Sequence, residues 1–407
     1  MTEARPTPAG TGASGGAGDS ARRSNLATVL SLVHHDGPHS RAELTRATGL
    51  NRSTIATLAT QLAELGLAYE AAPMGSNAIG RPSPTVHADA STAAIAINPE
   101  IDAITVGLVG LGGGMLHRVR HETPAIPSAR EVVDISAAIV HDIRSRPGAP
   151  RIVGVGVAVP GLTRAEDGMV TYAPHLEWND EPIAQLLREA TGFPVRAAND
   201  ASLGANAEKV FGAGRGADNI LYLNGGASGI GGGVISGGAL LTGAAGYAGE
   251  LGHTLVSSGG ALCHCGANGC LETEVSRAPL LDALGLAPGE SERLEDELGA
   301  AYASDAPPAA LARVVDAQVG FLGIALRNAV NLLNPGVIVL GGFLGLLHAV
   351  APVALDRAMR GQAMRGPRDD VRIERARLGR DILMVGAAEL AFADILANPR
   401  AVAPPVP

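Results

Sequence analysis

The chain has 407 residues, 46% of them hydrophobic, 17% charged and 3% aromatic, with 54 glycines and a formal net charge of −9. That length allows two or three domains with ample apolar material for a large core, and the composition suits closely packed α/β elements joined by glycine turns. The acidic balance excludes a chain that coats nucleic acid by bulk electrostatics; with no apolar run approaching about 18 residues and no charged-then-apolar leader, a soluble cytoplasmic protein is expected.

The charge is unevenly placed. Between Ala21 and His87 six arginines and four histidines stand beside four acids, while the remainder is strongly acidic. A small DNA-contacting module on an acidic effector body has this pattern.

Residues 1–20, rich in Gly, Ala, Pro, Thr and Ser, have no apolar period and are expected to be a disordered tail. From Asn25 a helix is predicted, with Leu26, Val29, Leu30 and Val33 at i, i+3, i+4, i+7 spacing and Gly37-Pro38 as its stop. Ser40 and Glu43 have the capping-box spacing that opens a second helix over Ser40–Ala47. After the turn Thr48-Gly49-Leu50-Asn51 a third helix, Arg52–Leu65, carries Ile55, Leu58, Leu62 and Leu65 inward. This is the helix-turn-helix order, although a plain three-helix bundle fits the same pattern.

Gly66–Glu70 and Pro84–His87 read as two strands around a loop holding Gly80-Arg81-Pro82, which makes a wing and completes a winged helix-turn-helix over residues 21–88. Such a module lays its third helix in the major groove, with Arg52, Ser53, Thr54 and Thr57 toward base edges or phosphates. Arg81 suits entry into a narrow minor groove, and it equally suits a solvated hairpin tip. One copy of so weakly basic a module binds poorly, so a homodimer or homotetramer on operator DNA is expected.

After Asp89 strands alternate with helices. Ala93–Ile97, Ala103–Leu111, Ile152–Val159, Asn219–Leu223 and Val337–Leu340 read as strands, and Val132–Ile143 and Arg313–Leu333 as helices. The glycine string Gly112-Gly113-Gly114 reads as a hairpin turn. An α/β fold with mostly parallel sheet and ligands at strand C-terminal ends follows. Residues 399–407 read as a proline-rich tail.

The only three cysteines fall together, as Cys263-His264-Cys265-Gly266-Ala267-Asn268-Gly269-Cys270, beginning ten residues after His253. His253, Cys263, Cys265 and Cys270 are the complete four-coordinate set that structural Zn2+ prefers, and an odd, tightly spaced cysteine count suits disulfides badly. His264 competes for the fourth place but lies between two ligating cysteines. With all four positions filled, the metal has no site left to activate a water, so its role is structural.

A wider set of motifs surrounds the cluster: Asn199-Asp200-Ala201, Gly229-Ile230-Gly231-Gly232-Gly233, Gly243-Ala244-Ala245-Gly246-Tyr247-Ala248-Gly249-Glu250-Leu251-Gly252-His253, Gly269-Cys270-Leu271-Glu272, and Asn334-Pro335-Gly336-Val337-Ile338-Val339-Leu340-Gly341-Gly342. Together they resemble the ROK family, whose name joins repressors, open reading frames and sugar kinases, over roughly residues 89–393, within a sugar-binding domain expected over 89–398. The resemblance implies a bilobal, actin- and hexokinase-like (ribonuclease H-like) fold with a sugar or sugar phosphate held by Asn199, Asp200, Glu250, His253 and Glu272. Carboxylates and amides offer the paired acceptors and donors that sugar hydroxyls need. Plainer roles exist for each residue: Asn199-Asp200 as a helix N-cap, Glu250 and Glu272 as solvated or capping carboxylates, His253 as a core histidine.

In the family's kinases Asp200 would be the general base, and an Asp-x-Gly-Gly-Thr loop would open the phosphate site. Here that segment is Asn98-Pro99-Glu100-Ile101-Asp102, with two carboxylates where a triphosphate would sit, and Gly342-Phe343 departs from a third glycine. The second phosphate loop, Gly229–Gly233, is retained. The expectation is therefore a sugar-responsive transcriptional regulator, a repressor of carbohydrate uptake or catabolism genes that has lost kinase activity. The alternative is an ATP-dependent sugar kinase carrying a DNA-binding domain.

Overall fold

Leu26, Val29, Leu30 and Val33 form the expected stripe, and all four are buried on helix α1 (Ser14–His35). The computed structural model describes residues 14–72, 83–226, 228–304 and 307–401. Because α1 begins at Ser14, the last residues of the expected disordered tail are instead its first turns. The strand β1 (His39–Ser40) leads into α2 (Arg41–Thr48), whose box closes in both directions: Ser40 N donates to Glu43 Oε2 at 2.8 Å and Glu43 N to Ser40 Oγ at 3.2 Å. Gly49, at φ 70°, ends that helix in a left-handed conformation that strongly favours glycine.

Helix α3 (Arg52–Glu64) starts at the Asn51 cap and buries Ile55, Leu58, Ala59 and Leu62, while Leu65 closes it half-buried. Strands β2 (Ala68–Ala71) and β3 (Thr85–Ala88) pair antiparallel, and β1 adds to β3, so a three-stranded sheet completes a winged helix-turn-helix. The two-residue β1 carries no periodic signal and was not expected. Arg81 and the Gly80-Arg81-Pro82 wing tip lie outside the described residues.

The chain divides into two compact units, and the division differs from the one expected at Asp89 and Pro399. The first takes Met1–Thr92 with Gly110–Gly112 and Phe392–Pro407. Within it Thr92 Oγ1 donates to Gly66 O at 2.8 Å, Leu111 N to Thr92 O at 2.9 Å and Gly112 N to His34 Nδ1 at 2.7 Å. The His34 ring meets Phe392 edge-on at 5.4 Å, and Pro399–Ala401, the described start of the expected tail, is a 3-10 turn. Such pairings recruit distant chain segments that no local pattern announces.

The second unit, Ala93–Val109 with Gly113–Ala391, holds two five-stranded sheets. The first uses β4 (Thr92–Pro99), β5 (Ala103–Gly110), β6 (Met115–Glu122), β7 (Arg151–Val159) and β11 (Val195–Asn199) in the order β11-β7-β4-β5-β6. Between β7 and β11 lie a small sheet of β8 (Leu162–Thr163), β9 (Val170–Ala173) and β10 (Trp178–Glu181), then α5 (Ile183–Thr191); α4 (Ala129–Ser145) precedes β7. After α6 (Asp200–Phe211) the second sheet runs β14-β13-β12-β15-β16, from β12 (Ile220–Gly225), β13 (Ile230–Ser236), β14 (Ala239–Leu240), β15 (Val337–Gly341) and β16 (Arg372–Arg375).

The sheets are mixed, not mostly parallel as expected. β7–β11, β12–β15 and β15–β16 pair parallel, whereas β5–β6, β12–β13 and β13–β14 are antiparallel hairpins. The short glycine-rich links at 111–114 and 226–229 account for this, since a parallel pair needs a crossover of a dozen or more residues.

One described helix, Ala309–Leu333, is long and apolar enough by composition to span a bilayer, a feature the run-length reading passed over. Leu311, Val315, Leu322, Leu326 and Val330 on it are buried in the cluster that also contains Leu221, Leu340 and Leu355. It is the core helix of the second sheet's layer.

Candidate functional site

Strand ends and helix starts meet at one cavity of about 280 Å³ in the second unit, where β11 ends at Asn199, α6 begins at Asp200 and β13 leaves the Gly229 turn. All five residues expected to contact sugar line it: Asn199, Asp200, Glu250, His253 and Glu272. Asn199 takes the plain role of a helix cap and also lines the cavity. Its Oδ1 caps α6 by accepting from Ser202 N at 3.0 Å, and its Nδ2 donates to Gly161 O at 3.2 Å.

Asp200 lies in the first helical turn with Ala201 N donating to its Oδ1 at 2.7 Å. That amide favours the anion, but burial outweighs it, and with the nearby negative charge of Glu250 the carboxyl is pushed up to about 7. Burial also raises Glu250, with His253 opposing and Glu272 adding to the rise. Glu272, on the short helix α7 (Leu271–Glu274), is the hub: its Oε1 is 3.1 Å from His264 Nδ1 and 3.5 Å from His253 Nδ1, and it accepts from Cys263 Sγ at 3.1 Å.

The raised Asp200 carboxyl has a thermodynamic consequence. Between its usual value near 4 and its folded value the native protein binds more protons than the unfolded one, so stability falls as pH rises through that window. Asp200→Asn removes the penalty, and it is expected to raise the melting temperature by several degrees at about pH 8 and scarcely at all at about pH 4. Scanning calorimetry at both values checks this; equal shifts would contradict it.

Glycine packing explains the retained Gly229–Gly233 run without invoking phosphate. A Cβ on Gly231 would come within 2.8 Å of Ala201 Cβ and one on Gly233 within 2.6 Å of Ala205 Cβ, so the two glycines let α6 lie directly on β13. The other phosphate segment, Asn98–Asp102, caps the β4–β5 hairpin. Its carboxylates are held by Arg120, 3.6 Å from Glu100 and 3.0 Å from Asp102, and Thr105 Oγ1 donates to Glu100 at 3.3 Å.

Beside the cavity, His253 Nδ1 is 3.6 Å from Cys263 Sγ, Cys265 Sγ is 3.6 Å from Cys270 Sγ, and the donor atoms of all four residues lie within 4.8 Å of one another. Tetrahedral zinc with its usual bond lengths separates two sulfurs by about 3.8 Å and a sulfur from a nitrogen by about 3.6 Å. The donor set therefore fits one four-coordinate cation. Burial pushes the Cys263 and Cys270 thiols up, while the Ala267 amide favours the Cys265 thiolate. His264 is outside the four-residue cluster and lines the cavity. It meets His253 and His175 edge-on at 5.1 and 5.0 Å.

Among the lining residues, Tyr172, Asn224 and Leu162 escaped the sequence reading. His175 lines the cavity, whereas the nearby Trp178 is 2% exposed and donates from Nε1 to Pro127 O at 3.0 Å, which makes it a core residue. In the first unit Arg52, Ser53 and Thr57 are exposed and Thr54 half-buried at the start of α3. Ser53 Oγ donates to Asn51 Oδ1 at 2.8 Å and Thr57 Oγ1 to Ser53 O at 3.0 Å.

Three helices with a small antiparallel sheet, followed in the same chain by two five-stranded mixed sheets with a cavity at their strand ends, define a sugar-kinase-like α/β fold carrying an added N-terminal helical module. The chain belongs to the ROK family, whose model matches residues 94–394. It is 31% identical to a xylose repressor of Bacillus subtilis over 324 residues, 78% of this chain and 82% of that protein. It is also 34% identical to a glucokinase of Halalkalibacterium halodurans over 257 residues, 59% of this chain and 76% of that enzyme. Among solved structures, a ROK family transcriptional regulator described as a homologue of the E. coli MLC protein superposes with a TM-score of 0.74 at 26% identity, covering 93% of this chain and 98% of that one. The ROK glucokinase of Streptomyces griseus, solved with glucose and AMPPNP, gives 0.62 at 27% identity, with 74% and 99% covered. The Halalkalibacterium glucokinase match leaves out about two fifths of this chain and the Streptomyces griseus structure about a quarter, whereas the regulator structure covers 93% of it.

Proposed function

We propose that the protein is a sugar-responsive transcriptional regulator, a repressor of carbohydrate uptake or catabolism genes, whose operator affinity changes when a sugar enters the cavity at Asp200. The observation that carries this reading is the presence, in one chain, of a winged helix with an exposed polar α3 face and a cavity lined by acceptors suited to hydroxyls. The regulator likeness over nearly the whole chain supports it.

In this reading Arg52, Ser53, Thr54 and Thr57 face the major groove, Arg81 supplies the wing contact, and a homodimer or homotetramer presents paired modules to operator half-sites. The protein acts in the cytoplasm, where its operator is. A structural Zn2+ held by His253, Cys263, Cys265 and Cys270 fixes the loop that carries Glu250 and Glu272 at the sugar. Asp200 binds sugar as a vestige of the kinases' base, because the Asn98–Asp102 segment offers carboxylates and Arg120 pairs in place of a glycine phosphate cradle.

Electrophoretic mobility shift of the protein on its own upstream region, with and without sugars, tests the reading. Arg52→Ala is expected to weaken operator binding by about tenfold or more, with the sugar-induced melting shift unchanged. An Arg52→Ala protein that shifts DNA as the parent does would remove α3 as the reading helix. The kinase alternative draws on the glucokinase relatives and the retained Gly229–Gly233 run. A coupled ADP-release assay over a hexose and amino-sugar panel separates the two: sugar-dependent turnover favours the kinase.

A further inference from the structure

We propose that the cavity takes an uncharged sugar and refuses the corresponding phosphate ester, so that the signal read is the free sugar before its first phosphorylation. The inference rests on the effector reading above and narrows its ligand class. Three carboxyl groups line the cavity, Glu250, Glu272 and the partly protonated Asp200, and no lysine or arginine is among the described lining residues.

The three lining histidines do not replace that missing cation. His253 directs Nδ1 to the cysteine cluster, 3.6 Å from Cys263 Sγ. His264 is already paired with Glu272 at 3.1 Å. His175 is half-buried against His264, and burial holds its pKa below the usual histidine value, which keeps the ring neutral. A phosphate monoester brings about −1.5 to −2 charges at neutral pH and wants Arg, Lys or a ring of free amides. Around Gly229 that ring is spoiled: Gly226 N is committed to Gly229 O at 2.9 Å, and Glu272 Oε2 stands where a Gly229 Cβ would project, 2.4 Å from it.

A free sugar meets the opposite situation. Its hydroxyls donate to carboxylates and accept from Asn224 and Ser228, so the same groups that repel a phosphate hold a polyol. A cation does line an adjoining space: Arg277, in a neighbouring cavity of about 180 Å³ that shares Gly226 and Gly229 and also presents Asp282. That residue supplies the internal control.

Titration calorimetry of the full-length protein with D-glucose, D-xylose and N-acetyl-D-glucosamine, each against its terminal phosphate ester, tests the proposal. At least one free sugar is expected to bind, with its ester at least about tenfold weaker, since like charge brought together in a closed site costs that much or more. The gap is expected to narrow as salt rises from about 0.05 to about 0.5 M. Arg277→Ala is expected to leave free-sugar affinity unaltered. An ester binding as tightly as its sugar, or losing its binding in Arg277→Ala, overturns the charge argument while the effector reading stands. Binding of neither form overturns both.

Discussion

Cys265→Ser is expected to cost the protein its metal and its grip on sugar together. The side chain is exposed, so serine removes no core packing, unlike a change at the buried Cys263 or Cys270. What it removes is one donor of four whose atoms lie within 4.8 Å of one another. The segment between His253 and Glu272 is held mainly by hydrogen bonds, among them those from Cys263 N to Ala267 O, Val256 N to Gly269 O, Gly269 N to Ala261 O, Leu271 N to Thr254 O and Ala261 N to Glu274, and no side chain between Val256 and Cys270 other than Cys263 is buried. The cation would tie the two ends of this segment, the His253 turn and the start of α7, so losing it frees Glu272 and His253 at the cavity wall. Metal analysis of reduced protein is expected to fall from about one zinc per chain to near none, and sugar affinity to drop by about tenfold or more. Chelation of the parent protein should reproduce both effects and added Zn2+ should reverse them. A Cys265→Ser protein with full metal content would remove the cluster as the binding site; one without metal but with parental sugar affinity would break the link between the two.

The contrast between what the chain announced and what it hid follows from distance along the sequence. The cysteine cluster, the Ser40–Glu43 box and the stripe from Leu26 to Val33 were legible because each is complete within a dozen residues, and the structure places all three as read. Asn199, Asp200, Glu250, His253 and Glu272 were reached through motif resemblance, and they do converge on one cavity. Tyr172 and His175 join them from the β8–β10 region, where no spacing rule connects them to residues almost a hundred positions later. The mixed sheets were misread because buried strands look alike whether their neighbours run parallel or antiparallel. The reach of Gly110–Gly112 and Phe392 into the first unit depends on single contacts, such as Gly112 to His34, that leave no periodic trace.

The second large effect sits at a residue that no motif marks. Glu208, fully buried on α6, accepts from Ala213 N at 2.6 Å with one carboxylate oxygen and from Arg377 N and Leu378 N, each at 2.9 Å, with the other. One side chain therefore ties the C-terminal end of the helix that begins at Asp200 to the segment following β16. Truncation by Glu208→Ala leaves one buried amide, Ala213 N, and two part-buried ones, Arg377 N and Leu378 N, without that acceptor, each costing up to about 1 to 3 kcal/mol if no water replaces it, and opens a void as well. Allowing for some relaxation, the loss is about 4 kcal/mol, equivalent to a fall in melting temperature of about 10 °C. Glu208→Gln keeps the volume and one accepting oxygen but turns an NH2 toward a donor, so it is expected to fall between the parent and the alanine variant. Because α6 carries Asn199 and Asp200 at its other end, sugar affinity should weaken in the same order, whereas operator binding by the winged helix at low temperature should not. Calorimetric melting with parallel sugar titrations separates these outcomes, and a Glu208→Ala protein as stable as the parent would show that the three amides find other partners.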